Sequence, residues 1–219
     1  MTQRAGSFRT VLADPNLRRV ELAFLGFNMT EFATWIAILV YAFERGGAAA
    51  MGAVSAILLV PSAIIAPFAA YAGDRFRRDR VLATAYMVQG LAMAATAVTL
   101  YADAPTALVY TAAAIASISI TFTRPAQNSL LPALTKTPSD LTAANVVQGM
   151  VEGVGKMLGP IIAGIALATS GAGAVFAIFA VLTLFGAVLV ARLRVDVGAV
   201  TPDARIEAAD VWHLSLIHI

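Results

Sequence analysis

Six long apolar runs, at approximately 20–43, 49–72, 81–101, 105–123, 143–168 and 172–192, are separated by short stretches rich in charge, glycine or proline. A helix needs about 20 apolar residues, at 1.5 Å per residue, to cross ~30 Å of hydrocarbon. Barrel strands would be about half as long and would alternate in polarity, so the runs predict six transmembrane helices in an all-α membrane protein. Asp14-Pro15-Asn16 offers a cap and start for the first helix, and Thr137-Pro138-Ser139-Asp140 does the same before the fifth. The glycines of Glu44-Arg45-Gly46-Gly47 and of Thr169-Ser170-Gly171-Ala172-Gly173 suit turns, as does Asp103-Ala104-Pro105. Residues 1–19 and 195–219 then flank a helical domain over 20–194.

Polar residues inside the runs change this picture most. Run 1 carries Asn28, Thr30, Glu31, Thr34 and Trp35. Glu31 lies about eleven residues in, or ~17 Å, close to the bilayer midplane. Such a group either faces a cavity or partner, or is a protonated acid hydrogen-bonded within a helix interface. Run 2 contains Pro61 and Pro67, which predict a kink that is static or hinged. Run 3 has only Gln89-Gly90 to distinguish it and is expected to face lipid. In run 4, Ser117, Ser119, Thr121 and Thr123 either return their hydroxyls to helix carbonyls or line a substrate face. The segment from Arg124 to Ala144, broken by Pro125, Pro132 and Pro138, reads as the longest internal connection. In run 5, Asn145, Gln148, Glu152 and Lys156 form one polar stripe. Glu152 and Lys156 stand in the favourable order for an intrahelical pair, which either marks a second polar site or fixes helix rotation.

The chain is 59% hydrophobic and 13% charged, with mean hydropathy +0.80, outside the range of an ordinary globular domain. The charged knot Asp74-Arg75-Phe76-Arg77-Arg78-Asp79-Arg80 must therefore lie on one side of the membrane, since charge in hydrocarbon costs roughly 3 kcal/mol per residue. With the N-terminus placed inside, thirteen of the fifteen Lys and Arg fall on internal segments, Arg124 among them; Arg45 faces outside and Lys156 lies within a span. That bias predicts a multi-pass cell-membrane protein with both termini cytoplasmic. It also accounts for the pI of about 9.2 without nucleic acid. Met1 to Arg19 has four arginines and no apolar core, so no cleaved signal peptide is expected. The absence of cysteine excludes disulfides, thiolate metal sites and cysteine nucleophiles. No span pairs histidines or sets a nucleophile beside a base, so neither an enzyme nor a cofactor is expected. The closing Leu-Ser-Leu-Ile-His-Ile resembles translated adapter sequence, and His213 and His218 are not read as ligands.

Asp74, Arg75 and Arg78, between the second and third of six spans, resemble the loop motif of the major facilitator superfamily, Gly-x-Leu-Ala-Asp-Arg-x-Gly-Arg-Arg. Ala70, Arg77 and Asp79 depart from it. Gly155, Gly159, Pro160 and Gly164 resemble the antiporter motif of the drug-exporting branches, Gly-x8-Gly-x3-Gly-Pro-x2-Gly-Gly, with Val146 and Ala163 replacing two glycines. The run Thr123 to Leu134 followed by Leu141 to Asn145 is similar to the branch containing the enterobactin exporters. The resemblance implies the N-terminal half of a fold of two six-helix halves, each made of 3+3 inverted repeats, with substrate bound between them. It further implies that spans 1 and 4 line the central cavity, that spans 2 and 5 meet a missing C-terminal half, and that Asp74 caps a helix of that half as a conformational latch.

On this reading the protein is a secondary transporter, a proton-coupled exporter of small amphipathic molecules. Its partners are the lipid bilayer, a small-molecule substrate, H+ as coupling ion and the missing half. Asn28, Glu31, Thr34, Glu152 and Lys156 are the candidates for substrate or proton contact. The alternative is a membrane-anchored sensor or scaffold whose helices carry a cytosolic module, for example a cyclic-nucleotide-binding one, beyond residue 219.

Overall fold

The computed structural model describes residues 13–193, except for the side chains of Ala70, Ala72, Gly73 and Asp74. The tail over 195–219, with its adapter-like end, and most of the N-terminal segment lie outside the described residues. Four helical segments, Pro15–Arg75, Arg78–Tyr101, Thr106–Leu134 and Pro138–Ala191, account for nearly all of this range, and each is long and apolar enough to cross a membrane. The first and last are each broken once, at glycine. Gly46 (φ −159°, ψ 23°) and Gly47 (φ 62°, ψ −155°) divide Pro15–Arg75 into α1 (15–45) and α2 (48–75). Gly171 (φ 77°, ψ −178°) divides Pro138–Ala191 into α5 (138–170) and α6 (172–191). Gly47 and Gly171 occupy conformations that a Cβ would disfavour, which is why the two reversals fall on them. Arg78–Tyr101 is α3 and Thr106–Leu134 is α4. The result is an all-α membrane fold of six rods.

The caps form where the punctuation places them. Asp14 Oδ1 accepts the amides of Asn16 and Leu17 at 2.7 and 3.1 Å. Thr137 Oγ1 accepts the amide of Asp140 at 3.1 Å, with Pro138 opening α5. Between α2 and α3 the connection narrows to Phe76 and Arg77, because both helices extend beyond the apolar runs. Arg75 stands in the last turn of α2 and Asp79 in the first turn of α3, each beside the helix-end charge it complements. The structure also contains α2 without a non-helical residue at Pro61 or Pro67.

Two expectations are corrected. First, the connection beginning at Arg124 is in fact helix: α4 runs on through Pro125 and Pro132 to Leu134, and only residues 135–137 separate it from α5. A membrane helix tolerates proline inside a packed bundle, and this extension is tied to α3 by Arg78 Nη1, which donates to the Ser129 carbonyl at 3.1 Å. Second, α3 does not simply face lipid. Leu82, Tyr86, Gln89, Met93 and Ala97 form one buried stripe at helical spacing, and Gly90 lies against Leu184 of α6. Lipid and protein core are equally apolar, so the sequence pattern cannot separate the two faces of such a helix.

The core is divided along the bundle axis. One cluster gathers Ala37, Ile38, Val54, Met93, Val109 and Phe179; a second, nearer the arginine-rich end, gathers Phe24, Phe27, Leu82, Tyr86, Leu130 and Val190. Phe24 stacks on Phe27 with ring centroids 5.8 Å apart, and Phe27 meets Tyr86 in a tilted contact at 6.0 Å. A polar link crosses the level between the clusters, where Thr30 of α1 meets Thr183 of α6 at 3.3 Å. This arrangement holds α1 firmly against α6 and leaves the opposite face of α1 open to a cavity.

Candidate functional site

That cavity has a volume of about 340 Å³ and lies among α1, α2, α3, α4 and α6. Its apolar walls are Trp35, Ile38, Leu58, Leu59, Met93, Ile120 and Phe176, and its polar lining comes from Thr34, Ser62, Gln89, Ser117 and Thr121. Glu31 and Arg124 are its charged lining residues. Ser117 and Ser62 meet across α4 and α2 at 3.2 Å, and both donate to the Leu58 carbonyl, at 3.3 and 2.8 Å. Of the four hydroxyl residues on α4, Ser119 returns its hydroxyl to the Ile115 carbonyl at 2.9 Å, whereas Ser117 and Thr121 face the cavity.

Arg124 organises the charged side. Its Nη2 donates to Glu31 Oε2 of α1 at 2.6 Å, and its Nη1 donates to Glu152 Oε1 of α5 at 3.3 Å. Lys156 Nζ, one turn along α5, reaches the same Glu152 oxygen at 2.6 Å. The four charges alternate in sign through Glu31, Arg124, Glu152 and Lys156, so each carboxylate has a cation within bonding distance and the formal sum is zero. Aromatic faces border both cations: Arg124 lies 5.6 Å from the Phe27 ring centroid and Lys156 lies 5.7 Å from that of Phe32. A guanidinium suits this role because its planar fork presents separate N–H groups to two carboxylates, which a lysine ammonium on a flexible stem does less well. Its neighbour Pro125 has no amide proton, so the Thr121 carbonyl one turn earlier also lacks its intrahelical donor.

Three of the five candidates named from sequence, Glu31, Glu152 and Lys156, are thus brought together, but by a residue counted there as a loop cation. The correction concerns Arg124, whose position next to a proline made it look like the start of a connection. Thr34 lines the cavity one turn beyond Glu31, with its hydroxyl given to the Thr30 carbonyl at 2.8 Å. Asn28 does not join them. It is fully buried, and its Nδ2 donates to the Phe24 carbonyl at 2.8 Å. Gln89 and Trp35, notable in their runs but not named as site candidates, also line the cavity.

The Major Facilitator Superfamily profile matches residues 21–214, almost the whole chain. The chain belongs to the Major Facilitator Superfamily. No curated protein matches it. Members of the superfamily are transporters, so the bundle is a multi-pass membrane protein that serves movement of a small-molecule substrate across a lipid bilayer. The match also extends past the tail's Val211 to His213.

The two motifs of the Major Facilitator Superfamily fall in different surroundings. In the loop, Arg75 Nη1 donates to the Tyr71 hydroxyl at 2.9 Å, and Arg78 anchors the start of α3 to α4 through Ser129. Arg77 pairs with Asp79 at 3.1 Å. The Asp74 side chain lies outside the described residues. In α5 the glycine motif divides. A Cβ on Gly155 would stand 2.7 Å from Asn28 Cβ, and one on Gly159 would collide with the Met29 backbone. These two glycines therefore pack against α1 of this chain, which corrects the expectation that they meet a second half. Gly149, Gly153 and Gly164 have open space at the Cβ position. Helical arithmetic explains the split, because 155 and 159 share a buried face with Ala163 and Ala166, whereas Gly164 and Pro160 lie on another face with 149 and 153.

Proposed function

We propose that this chain is the N-terminal six-helix half of a proton-coupled exporter of small amphipathic molecules, related to the drug and enterobactin exporters and placed in the cell membrane with cytoplasmic termini. The observation that carries this reading is a mainly apolar cavity that ends on an arginine shared by two carboxylates from different helices. Trp35, Ile38, Leu58 and Phe176 offer an apolar surface to the body of a substrate, and Ser117, Thr121 and Gln89 offer hydrogen bonds.

The same geometry supports a route for the coupling. While Glu31 is ionised, Arg124 ties α1 to α4, and through Glu152 to α5. A proton taken up by Glu31 removes one of the two anions that hold the guanidinium, so the arginine shifts toward Glu152 or toward a substrate acceptor. Helix α1 is then free to move against α4. The conserved total of zero charge means that each proton gained leaves the site one unit positive, an imbalance relieved by release on the other side of the membrane. Asp74, with Arg75 and Arg78, serves as a latch on the second half, and Gly149, Gly153 and Gly164 of α5 present the small-residue face on which that half slides.

Trp35 supplies the test. With Trp212 replaced by phenylalanine, Trp35 is the single tryptophan, and rhodamine 6G should quench it saturably in the purified protein. The quenching affinity should depend on pH, and Glu31→Gln should remove that dependence. Quenching that is absent or unsaturable would exclude the cavity as a binding site, and an unchanged pH dependence in Glu31→Gln would remove Glu31 from the coupling role.

A further inference from the structure

A second concavity, larger than the first at about 620 Å³, lies on the outside of the bundle between α3 and α4. Its long walls are apolar: Val81, Ala85 and Val88 on α3 face Ile115, Ile118 and Phe122 on α4. Arg77, Arg80 and Phe76 form its end at the α2–α3 turn. The two helices run antiparallel, with Arg78 against Ser129 and Tyr101 close to Thr106, so Phe122 stands near the level of Ala85 and Ile115 lies deeper than Val88. From Arg80 to Val88 the groove rises eight residues, or ~12 Å, most of the ~15 Å depth of one hydrocarbon leaflet. Val88 and Ile115 are 42% and 46% exposed, so the wall at its deep end is open to the bilayer rather than closed by another helix among the described residues.

The charge at the shallow end distinguishes this groove from the ordinary apolar surface of the bundle. Arg77 is held by Asp79 at 3.1 and 3.3 Å, which fixes its fork and offsets about one charge. Arg80 is exposed and makes no ion pair or hydrogen bond with another of the described residues. A cation at the headgroup level above an apolar channel one leaflet deep complements a molecule with one anionic end and a hydrocarbon body. A zwitterionic headgroup would bring its own cation to Arg80 and gain less.

We propose that the α3–α4 groove is a binding site for one anionic phospholipid, with its phosphate on Arg80 and one acyl chain laid between Val81–Val88 and Ile115–Phe122. The lipid would then bear directly on the two-residue turn that the loop motif flanks, and would brace α3 against α4 on the face opposite the cavity. The site does not depend on which side of the membrane the turn occupies, nor on proton coupling.

Native mass spectrometry of the purified protein, titrated in parallel with phosphatidylglycerol and phosphatidylcholine of the same acyl chains, tests this. The wild type should retain one phosphatidylglycerol in preference to phosphatidylcholine. Arg80→Ala should weaken the anionic lipid about fivefold while leaving phosphatidylcholine unchanged. Ser119→Phe, at a residue that lines the groove on α4, narrows it without touching charge and should weaken both lipids, and its unfolding temperature in phosphatidylcholine alone reports whether it folds. Equal retention of the two lipids by the wild type, or unchanged retention by Arg80→Ala, would overturn the proposal. So would competition by inorganic phosphate as effective as by lipid, or a dimer whose interface is cross-linked through position 122.

Discussion

Arg124 is the residue on which the candidate site turns, and its removal has a calculable direction. Arg124→Ala leaves Glu31 without its partner and Glu152 with Lys156 alone. Stripping one member from a partly exposed ion network should cost about 1–3 kcal/mol, less than for a fully buried pair, and appear as a lowered unfolding temperature of the purified protein. Arg124→Lys should recover only part of it, because one ammonium on a flexible stem serves two carboxylates poorly. Equal melting of all three proteins would show the network to be energetically idle. Glu21 of α1 behaves in the opposite sense. It is 4% exposed, and neither carboxyl oxygen has a hydrogen-bond partner among the described residues. Glu21→Leu should therefore stabilise the fold by about 1–2 kcal/mol in the same melting experiment. Neither residue was legible beforehand. Arg124 borders a proline at the end of an apolar run, where charge normally marks a loop, and Glu21 sits just inside a helix start, where an acid is unremarked. Glu31 was legible because it stands at the middle of a long, mainly apolar run, about a half-span from water on either side.

At the scale of elements, the sequence carried turns and caps better than faces. Gly47, Gly171 and Asp14 do what their chemistry predicts, because backbone conformation and unpaired amides are local requirements. The direction in which a helix faces is not local. Gly155, Gly159 and Gly164 read as one motif, yet only the first two touch α1. Gly159→Ala should consequently destabilise the bundle by about 1–3 kcal/mol, since a Cβ meets the Met29 backbone, which has no rotamer through which to yield. Gly149→Ala and Gly164→Ala, with open space at the Cβ, should melt as the wild type or slightly above it in the same lipid. A loss at Gly164 as large as that at Gly159 would contradict this division of the stripe. The lipid-facing reading of α3 failed for the same reason, because Tyr86 and Gln89 are buried by neighbours whose arrangement no single run of residues encodes.

The whole molecule repeats that lesson on a larger scale: six apolar runs and a biased charge distribution were enough for an all-helical membrane bundle, whereas the cavity needed five helices to be placed together. The charge bias predicts orientation, and the absence of native cysteine makes orientation simple to measure. In intact cells a membrane-impermeant maleimide should label a cysteine introduced at Gly46 or Ser170 and should reach one at Lys136 only after permeabilisation; the reverse pattern would invert the topology. The coupling proposed for Glu31 and Arg124 depends on every level at once. The most direct test reconstitutes the whole transporter in proteoliposomes and follows rhodamine 6G movement with and without an imposed pH gradient. Glu31→Gln is expected to retain dye exchange at equal pH and to lose the acceleration by the gradient, because the carboxyl that releases Arg124 can no longer exchange a proton. Gradient-driven transport undiminished in Glu31→Gln would contradict the role given to the Glu31–Arg124 pair.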